Sequence, residues 1–314
     1  MNFNDFIEYV TSHILEYLPE EYQGARVKTS QIQKNNGLMM DAIIIETDNT
    51  NVFPTIYLND FYKDYENDIL IEDIMEKICD MQVSHALTDR LDLDAITNID
   101  RVRDRVVARL INAEANKEVL KDRPHKMLAD LAITYYIQLA GFDDAMATVA
   151  ISNELAKRFN VTVDELHDMA IKNMCHVQKP RFINMAEMLA STIVPGFDSM
   201  SEEAKKEAME EVVPPAPDAP MYIITNEQKT HGACSVLDIA LMDEIHEKLG
   251  DVYILPSSIH ELIVFPKNKN TPSVEELEGL VKEVNRTQVA EQDLLSDHVY
   301  EYNYSNHQLQ LAVA

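Results

Sequence analysis

No stretch of this 314-residue chain approaches the ~18 consecutive apolar residues that cross a bilayer, so no membrane span is expected. A basic leader is missing too. The opening MNFNDFIEYVTSHILEYLPEE carries acids throughout, which argues against a secretory signal. Cysteine is scarce: Cys79, Cys175 and Cys234 lie far apart with no C-x-x-C pair, which suits free thiols in a reducing cytoplasm. Seven glycines leave little scope for a phosphate-cradling loop, and no Walker loop, G-x-G-x-x-G or EF-hand pattern occurs. His246-Glu247 and His260-Glu261 each begin a His-Glu pair without the second histidine four residues on that a zinc helix requires. Neither a metal nor a cofactor is therefore expected.

The largest shortfall is positive charge. Against 54 Asp and Glu stand 27 Lys and Arg, a net charge of −27. Such a surface repels nucleic acid and anionic lipid and attracts basic proteins. The acids are spread along the chain and not gathered in a tail, as in any soluble acidic protein. A narrower reading is a decoy that offers DNA-like charge to a basic protein. One segment runs the other way: Arg101, Arg103, Arg105, Arg109, Lys117, Lys121, Arg123 and Lys126 are close in sequence. Alternation with Val and Asp reads there as the solvated face of a strand or helix, and no aromatic residue is present to stack bases.

What remains is ample for a packed core, and the length calls for more than one domain. Phe3, Phe6, Ile7, Val10, Ile14, Leu15 and Leu18 have helical spacing. Two strand-like runs flank Asn35-Asn36-Gly37, a tight-turn signal. PTIYLNDFYKDYEND passes from a short strand into a helix that Asn59 or Asp60 would cap. Ile71, Ile74, Met75, Ile78 and Met81 then share a helical face. Beyond Asp100, DRVVARLIN and MLADLAITYYIQLAG read as strands. Thr162 and Glu165 form a capping box for a following helix.

The run VVPPAPDAP, residues 212–220, cannot be helix or central strand and reads as an extended spacer. The expected organisation is an N-terminal segment 1–98, a middle segment 99–211 packed with it, the linker 212–220, and a C-terminal module 221–314. The expected class is α+β, with mixed helices and mainly antiparallel sheets.

Chemistry is thinly signalled. In DVYILPSSIHELIVFP, Ser257, Ser258, His260 and Glu261 could be a nucleophile, base and orienting acid. Read as a hairpin with its return strand from Ile259 to Phe265, the stretch puts His260 and Glu261 on opposite faces, and no Gly-x-Ser-x-Gly elbow surrounds the serines. Cys234, three residues from His231, could be a thiol nucleophile activated by a following helix, or a small buried cysteine at a loop end. Cys175 reads as core. The tyrosines Tyr57, Tyr62 and Tyr65 read as packing between the N-terminal helices and their sheet, with a partner surface as the alternative.

At PTIYLNDFY, DELHDMAIKNM, GDVYILPSSIHELIVFP and EVNRTQVAEQDLLSDHVYEY the text resembles an uncharacterised bacterial family, a domain of unknown function common in clostridial gut bacteria. The likeness covers nearly the whole chain, and a fainter one links it to a second uncharacterised bacterial group. It implies an intact bacterial cytoplasmic protein and brings no activity with it. In its most specific stretch, Asn285, Arg286, Thr287 and Gln288 follow a helix and precede Ser296, Asp297 and His298. Arg286, with Asn285 and Gln288, could anchor an acidic group; alternatively Asn285 ends the helix and Arg286 neutralises local acids.

The functional expectation is a non-enzymatic protein that binds a basic protein partner. A mobile-element role against a host nuclease is its narrower form. The alternative is a hydrolase or thiol enzyme using Cys234 and His231, or Ser258 and His260.

Overall fold

The structure is a computed structural model that describes residues 1–86, 90, 92–139, 147–212 and 221–313. The chain divides into two compact units, Met1–Ala95 and Ile96–Ala314.

In the first unit, α1 (Phe3–Tyr17) starts where the Asn2 side chain accepts the Asp5 N–H. Phe6, Val10 and Ile14 recur every four residues and are fully buried. β1 (Arg26–Gln33) and β2 (Met39–Glu46) form a hairpin, and β3 (Thr55–Tyr57) extends it into an antiparallel sheet. Asn36 and Gly37 both have positive φ, 59° and 76°, which is why Asn-Gly reverses the chain there. Two helices follow, α2 (Leu58–Glu66) and α3 (Ile71–Ser84). Ile43 and Ile45 meet Ile56, Ile74, Met75 and Ile78 in one core. Phe61, Tyr62 and Tyr65 pack against that core, and Phe6 is in ring contact with Tyr62 and Tyr65.

Two expectations change. Neither Asn59 nor Asp60 caps α2: its N-cap is Tyr57, and Asn59 accepts the Asp41 N–H instead, tying helix to strand. Met81 is exposed, because the buried face of α3 turns through Cys79 and Gln82.

The second unit begins around the short helices α4 (Leu93–Ile96) and α5 (Ile99–Val102). β4 (Val106–Asn112), the short helix α6 (Lys117–Leu120), β5 (His125–Leu128), β6 (Leu131–Gln138) and β7 (Thr148–Ala150) follow. β6 pairs with β4 on one side and with β5 and β7 on the other, all antiparallel. α7 (Asn153–Phe159) precedes α8 (Val163–Val177), which opens with the expected Thr162–Glu165 capping box.

Then come β8 (Pro180–Asn184), α9 (Met185–Ile193), α10 (Glu202–Val212), β9 (Tyr222–Asn226), α11 (Ile239–Leu249), β10 (Val252–Pro256), β11 (Leu262–Pro266), α12 (Val274–Gln288), β12 (Tyr300–Asn303) and β13 (Gln308–Leu311). These strands make a six-stranded antiparallel sheet in the order β13-β12-β10-β11-β9-β8. The α+β class is as expected. β8 stands before the proline-rich run and pairs with β9 after it, so the middle and C-terminal segments share one sheet. Residues 213–220 of the expected linker lie outside the described residues. Among the described residues no helix is long and apolar enough to cross a membrane.

Candidate functional site

β4 is an edge strand, and the carbonyls along a free edge need partners. The end of α8 supplies them. Asn173 Nδ2 donates to Val106 O at 2.9 Å, and Gln178 Nε2 donates to Ala108 O at 3.0 Å. Gln178 Nε2 also lies 3.0 Å from Cys234 Sγ, which brings the segment Gly232–Leu237 against the same edge.

That segment is pressed tightly into the six-stranded sheet. A Cβ on Gly232 would sit 2.4 Å from Thr225 Oγ1 and 2.6 Å from both Asn226 N and His260 O, so only glycine fits. His231, just before it, has φ of 52°, in the left-handed region. Its backbone N–H donates to His260 Nδ1 at 3.1 Å, and His260 Nε2 faces Asp293 Oδ1 at 3.4 Å. These contacts fix the neutral tautomer of His260 with its proton on Nε2, and both ring nitrogens have protein partners.

The residues singled out from sequence are therefore brought together, but as struts. The Cys234 thiol donates to the backbone carbonyl of His231 at 3.0 Å, not to its imidazole. Burial pushes that thiol up to about 12, against smaller opposing effects from Gln178 and Arg109, so it is a thiol and not a thiolate at neutral pH. Burial, reinforced by Arg109 and His260, pulls the His231 imidazole down to about 3, leaving it uncharged.

β11 begins at Leu262, later than expected. Residues 257–261 are a turn, so strand alternation does not orient His260 and Glu261. Ser257 Oγ donates to Glu261 at 3.4 Å, and Ser258 Oγ accepts the backbone N–H of His260 at 3.0 Å. Each serine thus closes its own turn.

The second patch separates by direction. Asn285 does not end a helix: it sits inside α12, buried, and donates to Ser296 O at 2.9 Å and Asp297 Oδ1 at 2.7 Å. Arg286 points outward and pairs with Glu283 one turn back, at 2.8 Å. Gln288 is exposed at the helix end. Beneath this patch, Ser296 Oγ and Tyr300 OH both donate to Asp130, at 2.8 and 2.6 Å, linking the β5–β6 turn to the C-terminal residues. Cys175, expected in the core, is exposed on α8.

Sequence reasoning also missed Arg109. Alternation with Val and Asp places it among solvated arginines, yet Val106, Val107, Ala108, Leu110 and Ile111 around it are all buried. A lone cation inside the apolar run VVARLI was the available signal. Elsewhere in this unit, a cavity of about 470 Å³ opens beside His167, floored by Ile133, Ile171 and Leu309. None of Cys234, His231, Ser258 or His260 lines it.

Among known proteins, the model of a family of unknown function matches residues 3–304. No curated protein and no solved structure matches the chain.

Proposed function

The chain is a member of that family, DUF5688, and we propose that it is a non-enzymatic binding protein whose acidic helices engage a basic protein partner. The observation behind this reading is the outer face of the first unit. On α3, Glu72, Glu76 and Asp80 are exposed and recur every four residues, roughly 6 Å along the axis, with Asp73 exposed beside Glu72. Glu16 of α1 joins them: with burial and Tyr9, the carboxylates Glu72, Glu16 and Glu76 push the Tyr17 hydroxyl upward. Lys77, the basic residue on α3, is committed to Asp64 at 3.0 Å. Such a face attracts a cationic surface and repels nucleic acid.

The test compares the tagged chain with its Glu72→Gln, Glu76→Gln, Asp80→Asn triple variant in capture from lysate of its native host. The expected result is a basic protein retained at low salt, released at high salt and lost in the variant. Equal retention by the variant, or no salt dependence, would sink the reading.

A further inference from the structure

β4 carries one cation inside an otherwise apolar run, Val106 to Ile111. Arg109 is opposite Thr134 in the β4–β6 register, and residues two apart along a strand share a face, so Tyr136 lies on the face of Arg109. The guanidinium reaches across the sheet above the Tyr136 ring, 4.1 Å from its centroid, and donates to Thr148 Oγ1 at 2.9 Å. A second guanidinium comes to the same ring. Arg123 donates to the Tyr136 hydroxyl at 2.6 Å, with its central carbon 5.5 Å from the ring centroid.

Several other cations of the unit meet a carboxylate instead. Lys126 is paired with Asp164, Lys179 and Arg181 with Glu227, Lys267 with Glu301, and Arg286 with Glu283. Arg109 and Arg123 are held by an aromatic ring and two hydroxyls, and among the described residues neither is paired with a carboxylate. A guanidinium has five N–H donors, and among the described residues Thr148 and Tyr136 meet only part of the set on Arg109. Its burial disfavours the charged form, Tyr136 and Cys234 partly offset that, and Arg123 nearby adds a smaller repulsion. An anion seated between the two guanidinium groups would relieve both effects.

We propose that Arg109 and Arg123, with Tyr136 and Thr148, form a binding site for a small anionic ligand bearing a carboxylate or phosphate group. Both groups match the planar fork of a guanidinium, which can donate two parallel N–H bonds to a pair of oxygens. The Thr148 and Tyr136 hydroxyls stand beside that fork as further polar contacts. The four side chains are partly buried, so the site is neither sealed nor a bare surface patch. It lies in the second unit and is independent of the acidic helices of the first.

The test uses the full chain and two probes, inorganic phosphate and acetate. Each is titrated by calorimetry and thermal shift against sodium chloride of matched ionic strength. A saturable response to at least one probe is expected. Arg123→Gln, which removes a partly exposed side chain, is expected to weaken it by roughly tenfold or more. Arg109→Lys keeps the charge and loses the fork, and is expected to weaken it as well; should that variant fail to fold, wild type and Arg123→Gln decide alone. A response to phosphate only assigns a phosphoryl ligand, and a response to acetate only assigns a carboxylate. No saturable response to either, or an unchanged affinity in Arg123→Gln, overturns the site.

Discussion

Replacing Gly232 by alanine adds one methyl group where three atoms already stand within 2.6 Å of its position. Two of them, Asn226 N and His260 O, belong to the backbone of β9 and of the β10–β11 turn, so neither can rotate away. Each neighbour must retreat by about 0.8–1 Å to reach ordinary contact. Overpacking of this kind costs about 1–3 kcal/mol. The shift also disturbs the bond from Thr225 Oγ1 to His260 O, 2.9 Å long, which contributes about another 1 kcal/mol. The expected loss is roughly 3 kcal/mol, a sizeable part of a stability that rarely exceeds about 15 kcal/mol.

Gly279 supplies the opposite control. It lies inside α12 with nothing within 4 Å of an added Cβ, so Gly279→Ala should stabilise by about 0.5–1 kcal/mol. The assay is hydrogen-exchange mass spectrometry along a urea series, because peptides report each unit separately. For Gly232→Ala the transition of peptides spanning 222–237 should fall by about 1 M urea. Peptides from α1 should not move. If the two alanine variants shift that transition equally, the close approach of this segment to the sheet is wrong.

Three further outcomes follow from the buried groups. His231 stays neutral when folded, with its pKa near 3 against 6.5 for a free imidazole. As the pH falls below about 6.5 the unfolded chain takes up a proton that the folded chain refuses, so stability is lost towards pH 3, by at most roughly 4 kcal/mol. His231→Asn, which tolerates the left-handed backbone, should show a smaller drop in urea midpoint between pH 7 and 4.5 than wild type; an equal drop would acquit the imidazole. Ellman's reagent should titrate one thiol, Cys175, in the native protein and three in denaturant, since burial pushes Cys79 up to about 11 and Cys234 up to about 12. Rapid native labelling of more than one would contradict that burial. Asp130→Ala strands the buried hydroxyls of Ser296 and Tyr300 and should cost roughly 2–4 kcal/mol in a urea melt, whereas no measurable loss would show that water replaces the carboxylate.

Local chemistry was legible in the sequence. The Thr162–Glu165 box, the Asn36-Gly37 reversal, and the helical spacing of Phe6, Val10 and Ile14 all form as residue order suggests. These are decided by neighbours within a few positions. The site was legible only in part, because its partners come from far along the chain. Gln178 meets Cys234 across 56 positions, and Ser296 meets Asp130 across 166. Asn285 shows the limit: at a helix end it reads as a stop, but the buried Ser296 carbonyl lets it serve inside the helix. His260 likewise reads as a strand residue, until Asp293 and the His231 amide hold its ring in a turn.

The pairing of β8 with β9 has a consequence for how this chain could be cut or lengthened. Asn184 stands opposite Tyr222, and Met185 N–H donates to Met221 O at 3.0 Å, so the chain leaves the sheet and re-enters it at one point. The connection from β8 to β9, which carries α9 and α10, is thus an insertion whose length the sheet does not dictate, and closing a loop grows only slowly more costly with length. A protease nick there would leave two polypeptides sharing one antiparallel sheet, with β8 on the first piece and its five companions on the second. Such halves should remain associated through gel filtration and separate only in denaturant. The same point offers a place to graft a reporter domain or to split the protein into complementing fragments.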